Sequence, residues 1–172
     1  TLGFYSLTQR IIGIPSRVFG SSISQVYIKQ ASDELKIKNS TKKVFLVTLK
    51  KLTLICIPVF LILYIIVEPA FAFIFGEEWR ASGIYARILI PLAAIRFISS
   101  TLSVNFIVYQ KQKILLLFNI SLLIFIIVIF LISKINNFNM ETFLVLYTFL
   151  VSVIYLALLA INWNVSQKNN YE

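Results

Sequence analysis

Arg10 and Arg17 stand seven residues apart within a stretch, residues 3–28, that is apolar enough to sit in a membrane. At about 100° per residue they share one stripe with Gly3, Ser6, Gly13, Ser21 and Ser24, while Phe4, Ile11, Ile12, Phe19, Ile23 and Val26 take the other side. A cation at the bilayer centre costs several kcal/mol or more, so this stripe is expected to face other helices or a watery cavity rather than lipid. Two guanidiniums on one face suit an anionic ligand such as a pyrophosphate, held by charge-assisted hydrogen bonds. The competing reading is an internal ion pair. The chain has 7 acidic residues, none in the middle of an apolar segment. Arg17 also lies near enough to one end of its segment to snorkel.

Arg87 and Arg96 are nine residues apart and therefore point to opposite sides of an ideal helix. Arg87 falls with Ala94, Thr101 and Asn105, and Arg96 with Leu92, Ser99, Ser100 and Ser103. One is expected to face a cavity and the other a helix contact, with Arg96, the deeper one, favoured for the cavity. Asn105 is either part of that cavity lining or, like Gln25 and Asn119, a hydrogen-bonding contact between helices. Pro91 lies between the two arginines and could act as a hinge, as could Pro15 in the first segment. Glu68 reads as solvated at a helix end beside Pro69, with coupling to a proton or cation as the lesser alternative. The chain has no histidine, Walker motif, GxSxG, metal-ligand cluster or paired catalytic carboxylates, so no enzymatic chemistry, metal or cofactor is expected.

These side chains need an all-α scaffold. The sequence is 59% hydrophobic with a mean hydropathy of +0.87. Its apolar runs are continuous rather than alternating, which predicts a polytopic helix bundle and not a β-barrel. Five membrane segments are predicted, over residues 3–28, 44–67, 82–109, 114–133 and 142–163. Pro58 lies inside the second, and Glu68-Pro69 is expected to close it. Residues 71–79, with Gly76 and Trp79, read as an interfacial turn on the outer side. The net charge of +9 is explained by topology and not by nucleic acid. Ten lysines (29, 36, 38, 42, 43, 50, 51, 111, 113 and 168) flank one set of segment ends, against Arg80 and Lys134 at the other. Cationic loops stay cytoplasmic, so the first segment enters from outside and the C-terminus is inside. Residues 36–51 read as a solvated, lysine-rich loop that fixes this topology, and an anionic-lipid site there is secondary. Cys56, the single cysteine, reads as a packing residue. The chain opens on Thr1, within a helical pattern, and is expected to be the C-terminal piece of a longer protein.

Residues 3–15 read GFYSLTQRIIGIP, and VFGSSISQV follows from Val18. This stretch resembles the G-Y-S-x-A-x-R-hydrophobic-x-x-x-P helix of polysaccharide flippases, the lipid-linked oligosaccharide and O-antigen exporters of the MATE-like (MOP) superfamily. The run FGEEW at residues 75–79 resembles the F-G-x-x-W outer loop of the same family. The resemblance implies a bundle of about a dozen helices in two related halves, of which the five segments here would be the last. It implies alternating-access flipping of an undecaprenyl-diphosphate-linked oligosaccharide across the bacterial cytoplasmic membrane, for O-antigen, capsule or exopolysaccharide export. Arg10 matches a cavity arginine of the family, whereas Arg17 stands where other members often have a small residue. Gly13, Gly20 and Ser21 would leave room for sugar. The bilayer, the lipid-linked oligosaccharide, a polysaccharide polymerase and chain-length proteins are the expected partners. The rival reading is a membrane-embedded glycan polymerase or ligase acting on the same class of lipid, although the longest outer loop is only residues 68–81.

Overall fold

The computed structural model describes residues 2–167 and, within the first helix, the side chains of residues 3, 5, 6, 8, 10 and 13 and of every residue from 20 on. Lys168, counted above among the cytoplasmic lysines, lies outside the described residues. Six α-helices follow in order: α1 Leu2–Lys38, α2 Lys42–Phe75, α3 Arg80–Leu102, α4 Asn105–Val108, α5 Gln112–Ile135 and α6 Met140–Gln167. A 3₁₀ turn, Glu77–Trp79, joins α2 to α3. Among the described residues there is no strand, and the architecture is all-α. Lys42–Phe75, Glu77–Val108, Gln112–Ile135 and Met140–Gln167 are each long and apolar enough to cross a membrane. The polar stripe makes α1, though longer, the least apolar of the five long helices.

The chain ends three helices with left-handed residues instead of glycine. Asn39, Gln110 and Asn137 have φ of 53°, 54° and 51°. After Gln110, the Lys111 N–H reaches back to the Phe106 carbonyl at 2.7 Å, and after Asn137 the Phe138 N–H reaches Ser133 at 3.0 Å. Both closures take up carbonyls that a helix end leaves unpaired. At the start of α6, Asn139 Oδ1 accepts the Thr142 N–H at 2.8 Å, which is an N-cap.

Helix α3 is the hub, packing against α1, α2 and α6, while α5 leans on α6 and α4. The main core joins Tyr27 and Ala31 of α1 to Phe45, Cys56 and Phe60 of α2 and to Ala86, Ile90 and Phe97 of α3. The pairs that meet give the directions: Thr8 meets Ser82, Gly20 meets Phe97 and Thr101, Ser99 meets Tyr155, and Leu102 meets Asn162. Helices α1, α3 and α6 therefore run parallel, as an alternating topology requires. Helix α5 buries only Leu122, Ile129 and Ser133 among its described residues, and its remaining surface is almost wholly apolar. Such a surface needs lipid or protein cover.

Three boundaries differ from the sequence reading. The stretch from Lys29 to Lys43 is not an extended loop: α1 continues to Lys38, and only residues 39–41 separate it from α2. Pro69 does not close α2, which runs on to Phe75 and stops at Gly76, whose φ is 97°. A proline removes one donor from the ladder, whereas continuing the helix buries Phe71 and Ala72. The first half of the expected interfacial turn is thus the last turn of α2, and the second half is the 3₁₀ turn. Finally, the third segment breaks after Leu102 and resumes as α4.

Candidate functional site

The polar side chains gather at three levels along the bundle. At the level where Gly83 of α3 meets α2, Glu68 receives two guanidiniums. Arg87 Nη1 donates to Glu68 Oε2 at 3.3 Å, and Arg80 Nη1 donates to Glu68 Oε1 at 3.5 Å. Arg80 also makes a two-pronged bond to Glu77, through Nε at 2.8 Å and Nη2 at 2.9 Å. The Arg87 guanidinium lies over the Tyr64 ring, 4.9 Å from its centroid. The contact is close because Gly83 packs directly on the Glu68 backbone: a Cβ there would lie 2.6 Å from Glu68 Cα. Glu68 is therefore an ion-pair partner and not simply solvated, and Arg87 is engaged with α2.

At the middle level, Arg96 is exposed on α3 and turned the other way, toward α6. Leu92 and Ile95, on the same side of α3, pack with Tyr147 and Tyr155 of α6. Tyr5 of α1 packs beside Tyr147 in a cluster with Tyr85 and Phe143. The nine-residue spacing thus sends Arg87 and Arg96 to different neighbours. Pro91 is exposed between them, and α3 stays helical through it.

On α1, Arg10, Ser6 and Ser21 are exposed and Gly13 is half-buried. Contacts with α3 are made by Thr8, whose Oγ1 donates to the Ser82 carbonyl at 2.9 Å, and by Ser24, a member of the expected stripe that turns into the bundle and donates through Oγ to the Thr101 carbonyl at 3.3 Å. Gly20 belongs to that contact as well: a Cβ on it would touch Thr101 Oγ1 at 3.7 Å and Phe97 Cε2 at 3.8 Å, so it meets a helix rather than open space. The side chains of Arg17 and Pro15 lie outside the described residues. Because Thr8 is level with Ser82 and Gly20 with Phe97, Arg10 and Arg96 sit about 15 Å apart along the axis.

At the lysine-rich end, Asn105 is fully buried. Thr41 Oγ1 donates to Asn105 Oδ1 at 3.0 Å, Asn105 Nδ2 donates to Asn162 Oδ1 at 3.0 Å, and Asn162 Nδ2 donates to the Leu102 carbonyl at 2.8 Å. The Thr41 N–H donates to Tyr109 Oη at 3.2 Å, and Ser40 Oγ donates to the Ser166 carbonyl at 2.9 Å. The structure places Asn105 inside this knot, which ties the α1–α2 elbow to α4 and α6. The sequence reading had not singled out Thr41 or Asn162. The available signal was a small polar residue near the same end of each of three segments. Tyr5, Tyr147 and Tyr155 were also passed over, because an aromatic in an apolar run reads as core.

No curated protein and no solved structure matches this chain. A family model described as polysaccharide biosynthesis protein matches residues 1–84. The match takes in α1, α2 and the turn into α3, and with them Arg10, Glu68 and Gly83. Over those residues the chain is similar to the polysaccharide biosynthesis family, and four of its helices are long and apolar enough to cross a membrane.

Proposed function

We propose that this chain is the C-terminal half-bundle of a flippase that moves an undecaprenyl-diphosphate-linked oligosaccharide across the bacterial cytoplasmic membrane by alternating access. The observation that carries the reading is the exposed Arg10 stripe on α1, a helix within the residues matched by the polysaccharide biosynthesis family. An exposed guanidinium on a largely apolar membrane helix needs a second protein wall or water beside it. A complementary half-bundle facing α1 and α3 would enclose both Arg10 and Arg96 in one cavity. There the two cations offset the diphosphate charge in succession, and the tyrosines beside Arg96 offer hydroxyls and ring faces to sugar. No bond is made or broken, and rocking of the two halves would carry the headgroup past the two arginines.

The test is complementation in a host lacking its own flippase, with the intact gene and its Arg10→Ala variant expressed at equal levels. Surface polysaccharide and lipid-linked precursor are the readouts. The flippase reading expects Arg10→Ala to lose polysaccharide and to accumulate complete precursor on the inner leaflet. Normal export would make Arg10 dispensable. Exported but unpolymerised units would favour a polymerase or ligase instead.

A further inference from the structure

We propose that the elbow between α1 and α2 is a binding site for the phosphate headgroup of an anionic phospholipid. Two adjoining hollows, of about 360 and 400 Å³, open at this elbow and share Glu34, Lys38, Lys43 and Val47. Lys42 and Lys43 stand exposed at their rim. The walls are otherwise apolar: Ile37 is 80% exposed, and Leu46 and Val47 are exposed beside it. Cations beside an uncovered apolar shelf match a lipid, whose phosphate and acyl chain differ in the same way.

Glu34 does not spoil the site for an anion. Its Oε2 accepts the Val44 N–H at 2.8 Å, its Oε1 lies 3.8 Å from Lys38 Nζ, and its side chain is only 9% exposed. Its charge is thereby used to cap α2 and to hold Lys38, leaving Lys42 and Lys43 as the surplus. Lys42 Nζ is further fixed over the Trp163 ring, 5.7 Å from the centroid, at the end of α6. The knot of Thr41, Asn105 and Asn162 holds the elbow rigid.

The depth is right as well. From Lys43 to Glu68, the one acidic residue within α2, is a rise of about 37 Å. A hydrocarbon core of about 30 Å with headgroup layers reaches about 40–45 Å in all, so the elbow falls in a headgroup layer. Free phosphate shares the charge but has no use for the shelf formed by Ile37, Leu46 and Val47.

The experiment measures phosphatidylglycerol binding to the purified full-length protein by native mass spectrometry. Phosphatidylcholine of the same acyl composition is the reference, and glycerol 3-phosphate is the competitor. Each lysine near an anionic surface contributes about fivefold, so K42Q/K43Q should weaken phosphatidylglycerol binding roughly tenfold or more. K29Q/K113Q removes two charges from the same end without touching the hollows and should change binding less than twofold. I37S tests the shelf independently of charge and should weaken phosphatidylglycerol binding without altering thermal stability. Equal loss in both lysine pairs, no preference over phosphatidylcholine, or displacement by equimolar glycerol 3-phosphate would each overturn the proposal.

Discussion

Asn105 and Arg96 are both polar residues in apolar helices, yet their surroundings differ. Asn105 has its amide donor and acceptor satisfied inside the bundle, whereas Arg96 keeps an exposed guanidinium. Asn105→Leu leaves Thr41 and Asn162 without their partner, and a buried polar group stripped of its hydrogen bond costs roughly 1–3 kcal/mol. The variant should melt several degrees below the parent protein in a detergent thermal-shift assay, and Asn162→Leu should behave likewise. The sequence could show that Asn105 is polar and lies near a segment end, which left cavity lining and helix contact as equal readings. The partners that separate them lie 64 and 57 residues away, at Thr41 and Asn162, beyond any local pattern. Glu68 was misjudged for the same reason: Arg80 and Arg87 reach it only because Gly83 brings α3 onto α2.

Helices α2 and α3 approach more closely than any ordinary side chain allows at Gly83, and the glycines of α1 and α3 are not equivalent. Gly83→Ala places a methyl 2.6 Å from backbone that cannot rotate away. Overpacking of this kind costs about 1–3 kcal/mol, so this variant should lower the melting temperature and reduce the amount of folded protein. Gly20→Ala meets atoms at 3.7 and 3.8 Å, ordinary contact distances, and should fold normally. Comparing the two by thermal melt and fluorescence-detected gel filtration checks the contact directly. At this scale much was legible. Four of the apolar runs and the opposed faces of Arg87 and Arg96 follow from periodicity, whereas the polar stripe of α1 holds only in part, since Ser24 turns to α3. The ends were not, because a lysine-rich helix and a lysine-rich loop have the same composition. The helix of α1 extends to Lys38 on the strength of contacts made by Tyr27 and Ala31 and of the left-handed Asn39.

For the whole molecule, the parallel run of α1, α3 and α6 carries a consequence for orientation. With the lysine-rich ends inside, Lys36→Cys should react with an impermeant maleimide only after the membrane is opened. Glu78→Cys, in the turn between α2 and α3, should react in intact cells stripped of their outer envelope. Cys56 is buried and should stay silent in both cases. Reversed labelling would invert the topology. In the flippase reading, lipid covers the large apolar faces of α2 and α5, and a second wall faces the exposed Arg10.

The decisive measurement is movement of the lipid itself. The full-length protein would be reconstituted in vesicles carrying a fluorescent polyprenyl-diphosphate oligosaccharide, with access of the headgroup to an external quencher followed over time. Faster exchange between leaflets than in empty vesicles, lost in Arg10→Ala while the variant stays folded, is the predicted result. Exchange no faster than in empty vesicles, or unchanged by Arg10→Ala, would contradict transport through a cavity lined by Arg10.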